Sequence, residues 1–129
     1  MPNLHDRHFT LAEARSLLPT LIASLERIAE LKEHLDAKGF SIWQGQYVGG
    51  GTNGTTSHPK EWEEFVELAQ SVQQKGIVIK DPSRGLIDFP TIRDNGEEVY
   101  LCYMRGEPDI EWWHAIQDGF AGRRPVEEL

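Results

Sequence analysis

Apolar positions along the first third of the chain repeat at helical spacing. Ala14, Leu21, Ile28 and Leu35 recur every seven residues, and Leu11, Leu18 and Leu25 form a second row offset by four. The two rows merge into one stripe on a long helix from about Leu11 to Ala37. Thr10-Leu11-Ala12-Glu13 is a capping box at its start, and Gly39 suits its stop. Residues 40–57, "FSIWQGQYVGGGTNGTTS", break the pattern. Three consecutive glycines and Asn53-Gly54 do not hold regular structure cheaply, so this stretch reads as a Gly-rich flexible linker. A second helix follows over 59–75. Pro59 suits its first position, and Glu61, Glu63 and Glu64 suit the positive end of its dipole. Trp62, Phe65, Val66, Ala69 and Val72 fall on one face.

From Gly76 the period shortens to two. "GIVIK", "LIDF" and "EVYLCYM" read as strands, separated by "DPSRG" and by Asn95-Gly96, with Pro90 ending the second strand. "DIEWWHAI" is ambiguous. As a strand it turns Trp112 and His114 to one face and Trp113 to the other; as a helix it groups Ile110, Trp113 and Ile116. The neighbouring strand, the short turn and the aromatic content favour the strand. The expected fold is a single α+β domain over 1–129: a long antiparallel helical hairpin (helix one 10–38, helix two 59–75) packed on a small antiparallel β-meander (76–116), then a C-terminal turn and tail (117–129). The histidine-bearing strand is expected where helices and sheet meet.

Composition narrows the function. The chain has 129 residues, is 39% hydrophobic and carries a formal net charge of −8. That balance argues against nucleic-acid backbone and anionic membrane as partners. The N-terminus has no apolar run, so no signal peptide is expected, and no segment approaches the ~18 apolar residues of a membrane span. A single cysteine, Cys102, excludes an intramolecular disulfide and fits a reducing compartment, so a cytoplasmic protein is expected.

Several segments together resemble a known family. "FTLAEARSLLP", "GIVIKDPSRGLIDFP" and "VYLCYMRGEPDIEWWHAIQDGFAGRRPV" look like the bacterial domain-of-unknown-function family 2203, over both helices and nearly all of the second half. The resemblance implies no activity, cofactor or site.

Candidate chemistry therefore comes from the residues alone. His114, Cys102, Glu107 and Asp88 are the donor types that zinc or another divalent metal takes, although no zinc spacing signature joins them. His5, His8, Glu13 and Asp118 add further donors. The competing structural reading makes Asp88 a turn brace, Cys102 a small buried apolar residue and His114 a satisfied core histidine. Arg123 and Arg124, after Gly119 and Gly122 in "GFAGRR", could hold a small anion, or could pair with Glu107, Asp109 or Asp118. No serine or cysteine sits in a nucleophile motif. The reading these features favour is an interaction or assembly module that forms a homo-oligomer through its helices. The alternative is a metal-binding protein or metal-dependent enzyme centred on His114, and the weaker alternative is anion binding at Arg123 and Arg124.

Overall fold

A computed structural model describes residues 3–39, 41–43, 46–48 and 60–129. Helix α1 spans Leu11–Ala37 and runs on through Pro19. Thr10 Oγ1 accepts from the Glu13 N–H at 3.0 Å, and Glu13 Oε1 accepts from the Thr10 N–H at 2.8 Å, so the capping box forms. Of the two apolar rows, all but the half-buried Leu11 are buried. Helix α2 spans Lys60–Gln74 and buries Trp62, Phe65, Ala69 and Val72. The helices pack on each other, and ion pairs tie them at the edge: Lys38 with Glu61, and Arg27 with Glu64.

Within the glycine-rich stretch, β1 (Ser41–Trp43) and β2 (Gln46–Val48) pair antiparallel. That part of the expected linker is therefore a strand pair. The rest of the linker, and Pro59, lie outside the described residues.

The second half is a five-stranded antiparallel sheet, β3 (Val78–Asp81), β4 (Leu86–Ile92), β5 (Glu98–Met104), β6 (Trp112–Ala115) and β7 (Arg124–Pro125), in sequential order. Two helices with this sheet make the fold α+β. The sheet reaches past the expected meander, because Arg124–Pro125 pairs with Trp112–Trp113 as a fifth strand. Strand β4 also continues through Pro90 rather than ending there. The Pro90 carbonyl accepts from the Phe9 N–H at 2.8 Å, so that residue's ladder side faces the N-terminal segment and away from β5. A donor missing on that side costs the β4–β5 ladder nothing.

Alternation divides the sheet cleanly. Ile79, Ile87, Phe89, Val99, Leu101, Tyr103 and Trp113 join the α1 and α2 stripes in one core. Phe9 packs edge-on against Phe89, with centroids 5.4 Å apart. Burying such side chains stabilises the fold by roughly 1.5–3 kcal/mol each. The other face carries Asp88, Tyr100, Cys102, Trp112 and His114, which fall on the alternate register positions. His114 therefore lies on the far face of the sheet, not between sheet and helices as expected. Period two decides this: once Trp113 enters the core, its neighbour points away.

Two chain ends cover the far face. The N-terminal segment is fastened by Glu98, whose carboxylate accepts from the N–H of Leu4 (2.7 Å) and of His5 (3.0 Å) and pairs with His8 Nε2 (2.7 Å). His5 Nε2 reaches the Tyr100 hydroxyl at 2.6 Å. At the other end, a 3₁₀ turn at Phe120–Gly122 packs beside β6.

Candidate metal centre

Three central strands each place one donor on the far face. Asp88 on β4 is the direct register partner of Cys102 on β5, and Cys102 is the partner of Trp112, two residues before His114 on β6. Residues two apart share a face, so the imidazole comes diagonally onto the Asp88–Cys102 pair. All three are buried, and one ligand atom from each lies within 4.8 Å of the others.

The hydrogen bonds fix the imidazole. His114 Nδ1 is 2.8 Å from the Ala115 carbonyl oxygen. A carbonyl only accepts, so Nδ1 carries a proton. Nε2 faces both carboxylate oxygens of Asp88 at 3.1 Å. With Nδ1 committed as a donor, Nε2 has two states. It is a second N–H in an imidazolium bonded to Asp88, or it is a lone pair directed into the cluster. Burial by itself holds the His114 pKa down. The hydrogen bond and negative charge of Asp88 outweigh it, with Lys80 opposing, and the net shift is upward. Burial and then the charge of Asp88 push the Cys102 thiol up to about 12, against a downward pull from Arg123. Without a cation the raised His114 pKa favours the imidazolium bonded to Asp88, and the raised Cys102 pKa favours the thiol. In the imidazolium both ring nitrogens carry protons, so in that state His114 has no site to take the Cys102 proton.

Glu107 is not part of the cluster. Its Oε1 accepts from the Met104 N–H (2.7 Å) and from Arg123 Nη1 (3.0 Å), and its Oε2 accepts from Arg123 Nη2 (2.5 Å). A carboxylate with both oxygens held in this fork braces the guanidinium and has no oxygen left for a metal at the cluster. Arg123 lies between the rings of Trp112 and Phe120, and its Nη1 comes to 3.8 Å from Cys102 Sγ. Arg124 turns the other way, over Trp113. The two arginines thus do not converge on one anion. The backbone N–H groups of Gly122 and Arg123 are also used inside the 3₁₀ turn. His5 and His8 turn to different partners, Tyr100 and Glu98, and form no pair.

Over the cluster opens a pocket of about 170 Å³, lined by Lys80, Leu86, Phe120, Gly119 and Asp118 as well as the three donors. Lys80 has no sequence signature. It is the extra residue of a β-bulge, because two steps on β3 (Ile79 to Asp81) face one on β4 (Ile87 to Leu86). Bulges re-aim side chains at sheet edges, and nothing in "GIVIKD" marks one.

No helix among the described residues is long and apolar enough to cross a membrane. Neither the curated proteins nor the solved structures gave a match to this chain. Comparison with protein families matches residues 7–126 to one described as "Uncharacterized conserved protein (DUF2203)". That span takes in both helices, all five strands of the larger sheet and the Asp88–Cys102–His114 cluster, and the chain belongs to the DUF2203 family.

Proposed function

We propose that the protein binds one divalent metal ion of the zinc type through His114 Nε2, Cys102 Sγ and the Asp88 carboxylate. The observation that carries this reading is the convergence of three buried donors of mixed N, S and O type. An Nδ1–H···O=C bond also holds the histidine as metal-ligating imidazoles are held. Tetrahedral zinc with bonds of about 2.0–2.3 Å sets its ligand atoms about 3.3–3.5 Å apart, so the widest pair closes by roughly 1 Å on loading. Two anionic ligands and one neutral imidazole balance the dipositive charge. Three protein ligands leave a fourth position facing the pocket, the arrangement of reactive rather than purely structural zinc sites. Glu107 and Arg123 form the outer ring, steadying the Cys102 sulfur.

Self-association through the helices ranks second. We read α1 and α2 as an antiparallel pair whose shared stripe the sheet face covers, with Ile22 the one large apolar residue of α1 that is exposed. The buried free thiol of Cys102 agrees with a reducing, cytoplasmic setting.

Cobalt(II) substitution tests the metal reading. A thiolate-to-cobalt charge-transfer band that saturates at one equivalent, and disappears in Cys102→Ser, is expected. A protein that leaves cobalt in its aqueous octahedral spectrum would refute it.

A further inference from the structure

We propose that the pocket over the metal cluster takes a small monocarboxylate, one oxygen at the open metal position and the other at the Lys80 ammonium. This inference rests on the metal reading and adds the class of ligand.

Three observations lead to it. The three donors are drawn from one side, the sheet, so the vacant coordination direction faces the pocket they line. The Lys80 ammonium, 4.8 Å above the Tyr100 ring, makes no hydrogen bond or ion pair among the described residues. The bulge at Ile79–Asp81 presents this lysine on the same pocket. A cation stacked on a ring at a pocket wall, without a carboxylate partner, is poised to receive an anion.

The remaining walls select which anion. Leu86 and Phe120 are apolar, and Phe120 is fixed between the guanidinium groups of Arg84 and Arg123 at 5.0 and 4.2 Å. They suit a short hydrocarbon tail. Asp118 stands on the same lining, with no hydrogen bond or ion pair to its carboxylate among the described residues. Its negative charge penalises a dianion more than a monoanion. A volume of about 170 Å³ equals that of roughly five or six waters, enough for a carboxylate with a few carbons. A carboxylate has two oxygens, one for the open metal position and one for the Lys80 ammonium.

The test is an acetate titration of the cobalt-loaded protein, read from its visible d–d bands, with inorganic phosphate as the competing probe. The expected result is a saturable acetate-induced change, weaker for phosphate at neutral pH. Lys80→Met should weaken acetate roughly ten-fold or more, and Lys80→Arg should keep most of the affinity. Lys80 is exposed, and cobalt stoichiometry in both variants should equal that of the parent. Bands indifferent to acetate, or equal acetate affinity in Lys80→Met, would overturn the proposal while leaving the metal reading intact. Phosphate binding as tightly as acetate would overturn the monoanion selection. A protein that takes up no cobalt would overturn the metal reading, and this one with it.

Discussion

His114 Nε2 faces both carboxylate oxygens of Asp88 at 3.1 Å, across the unpaired diagonal of two strands that are not neighbours in the sheet. Strand β5 lies between them and adds Cys102 to the gap. The pair is almost fully removed from solvent, with side chains 4% and 1% exposed. Breaking one partner of a buried ion pair strands the other charge, a loss of about 3–5 kcal/mol. We predict that His114→Ala destabilises the metal-free protein by about that amount in urea unfolding. Adding Asp88→Ala to it should recover part of the loss. A loss below about 1 kcal/mol for His114→Ala would show that the pair is not buried as described.

The same pair sets the pH response. The His114 pKa is raised above its ordinary 6.5, so its contribution to stability is full below 6.5 and is lost as pH rises through the raised value. The metal-free protein should therefore lose thermal stability as pH rises above 6.5. Metal binding runs the other way, because loading removes the Nε2 proton and the proton of a thiol lying near 12. Calorimetry of zinc binding in buffers of different ionisation enthalpy should find up to two protons released per ion, with affinity rising with pH. Binding that weakens with rising pH across the neutral range would contradict this.

Glu98 makes a separate, testable fastening. Burial works to raise its pKa, but His8 and the N–H groups of Leu4 and His5 outweigh that and hold it below its ordinary 4.5. Its hold on the N-terminal segment is present above 4.5 and lost as pH falls through the depressed value. The amide shifts of Leu4 and His5 should titrate together with a midpoint below 4.5, and Glu98→Gln should speed exchange of both amides at neutral pH. Separate midpoints, or a shared one above 4.5, would show that the segment is not held this way.

Trp113 joins core to C-terminus. It is buried against Leu101, and its indole N–H donates to the Pro125 carbonyl at 3.1 Å. Trp113→Ala should cost about 3–5 kcal/mol, measured by urea unfolding. Trp113→Phe should cost less but still loosen β7, seen as faster exchange of the Val126 amide that bonds to Glu111.

Much of this architecture is legible from residue spacing. The seven-residue rows of α1 mark the buried stripe, and Thr10 with Glu13 marks its start. Period two separates Leu101 from Cys102 on "EVYLCYM" and Trp113 from His114 on "EWWHA", while the pairing of the strands decides which of them share a face. The cluster is readable only in part. Asp88, Cys102 and His114 stand out by residue type, but their meeting depends on register across three strands, which no local pattern encodes. Register also removes Glu107, because the turn after Met104 hands it to Arg123. The Lys80 bulge, the strand at Arg124–Pro125 and the passage of β4 through Pro90 depend on what lies beside each edge. A one-dimensional pattern does not carry that information.

A metal ion held by Asp88, Cys102 and His114 underlies the proposed function. Its most direct test is elemental analysis with zinc titration of protein purified without a metal-binding tag. Close to one zinc per chain is expected, with stabilisation of about 2.7 kcal/mol when free zinc is at 100 times the dissociation constant. Both should be lost in His114→Ala and in Cys102→Ser. No bound zinc and no shift in thermal unfolding on adding zinc to the parent protein, or binding that survives both substitutions, would contradict it.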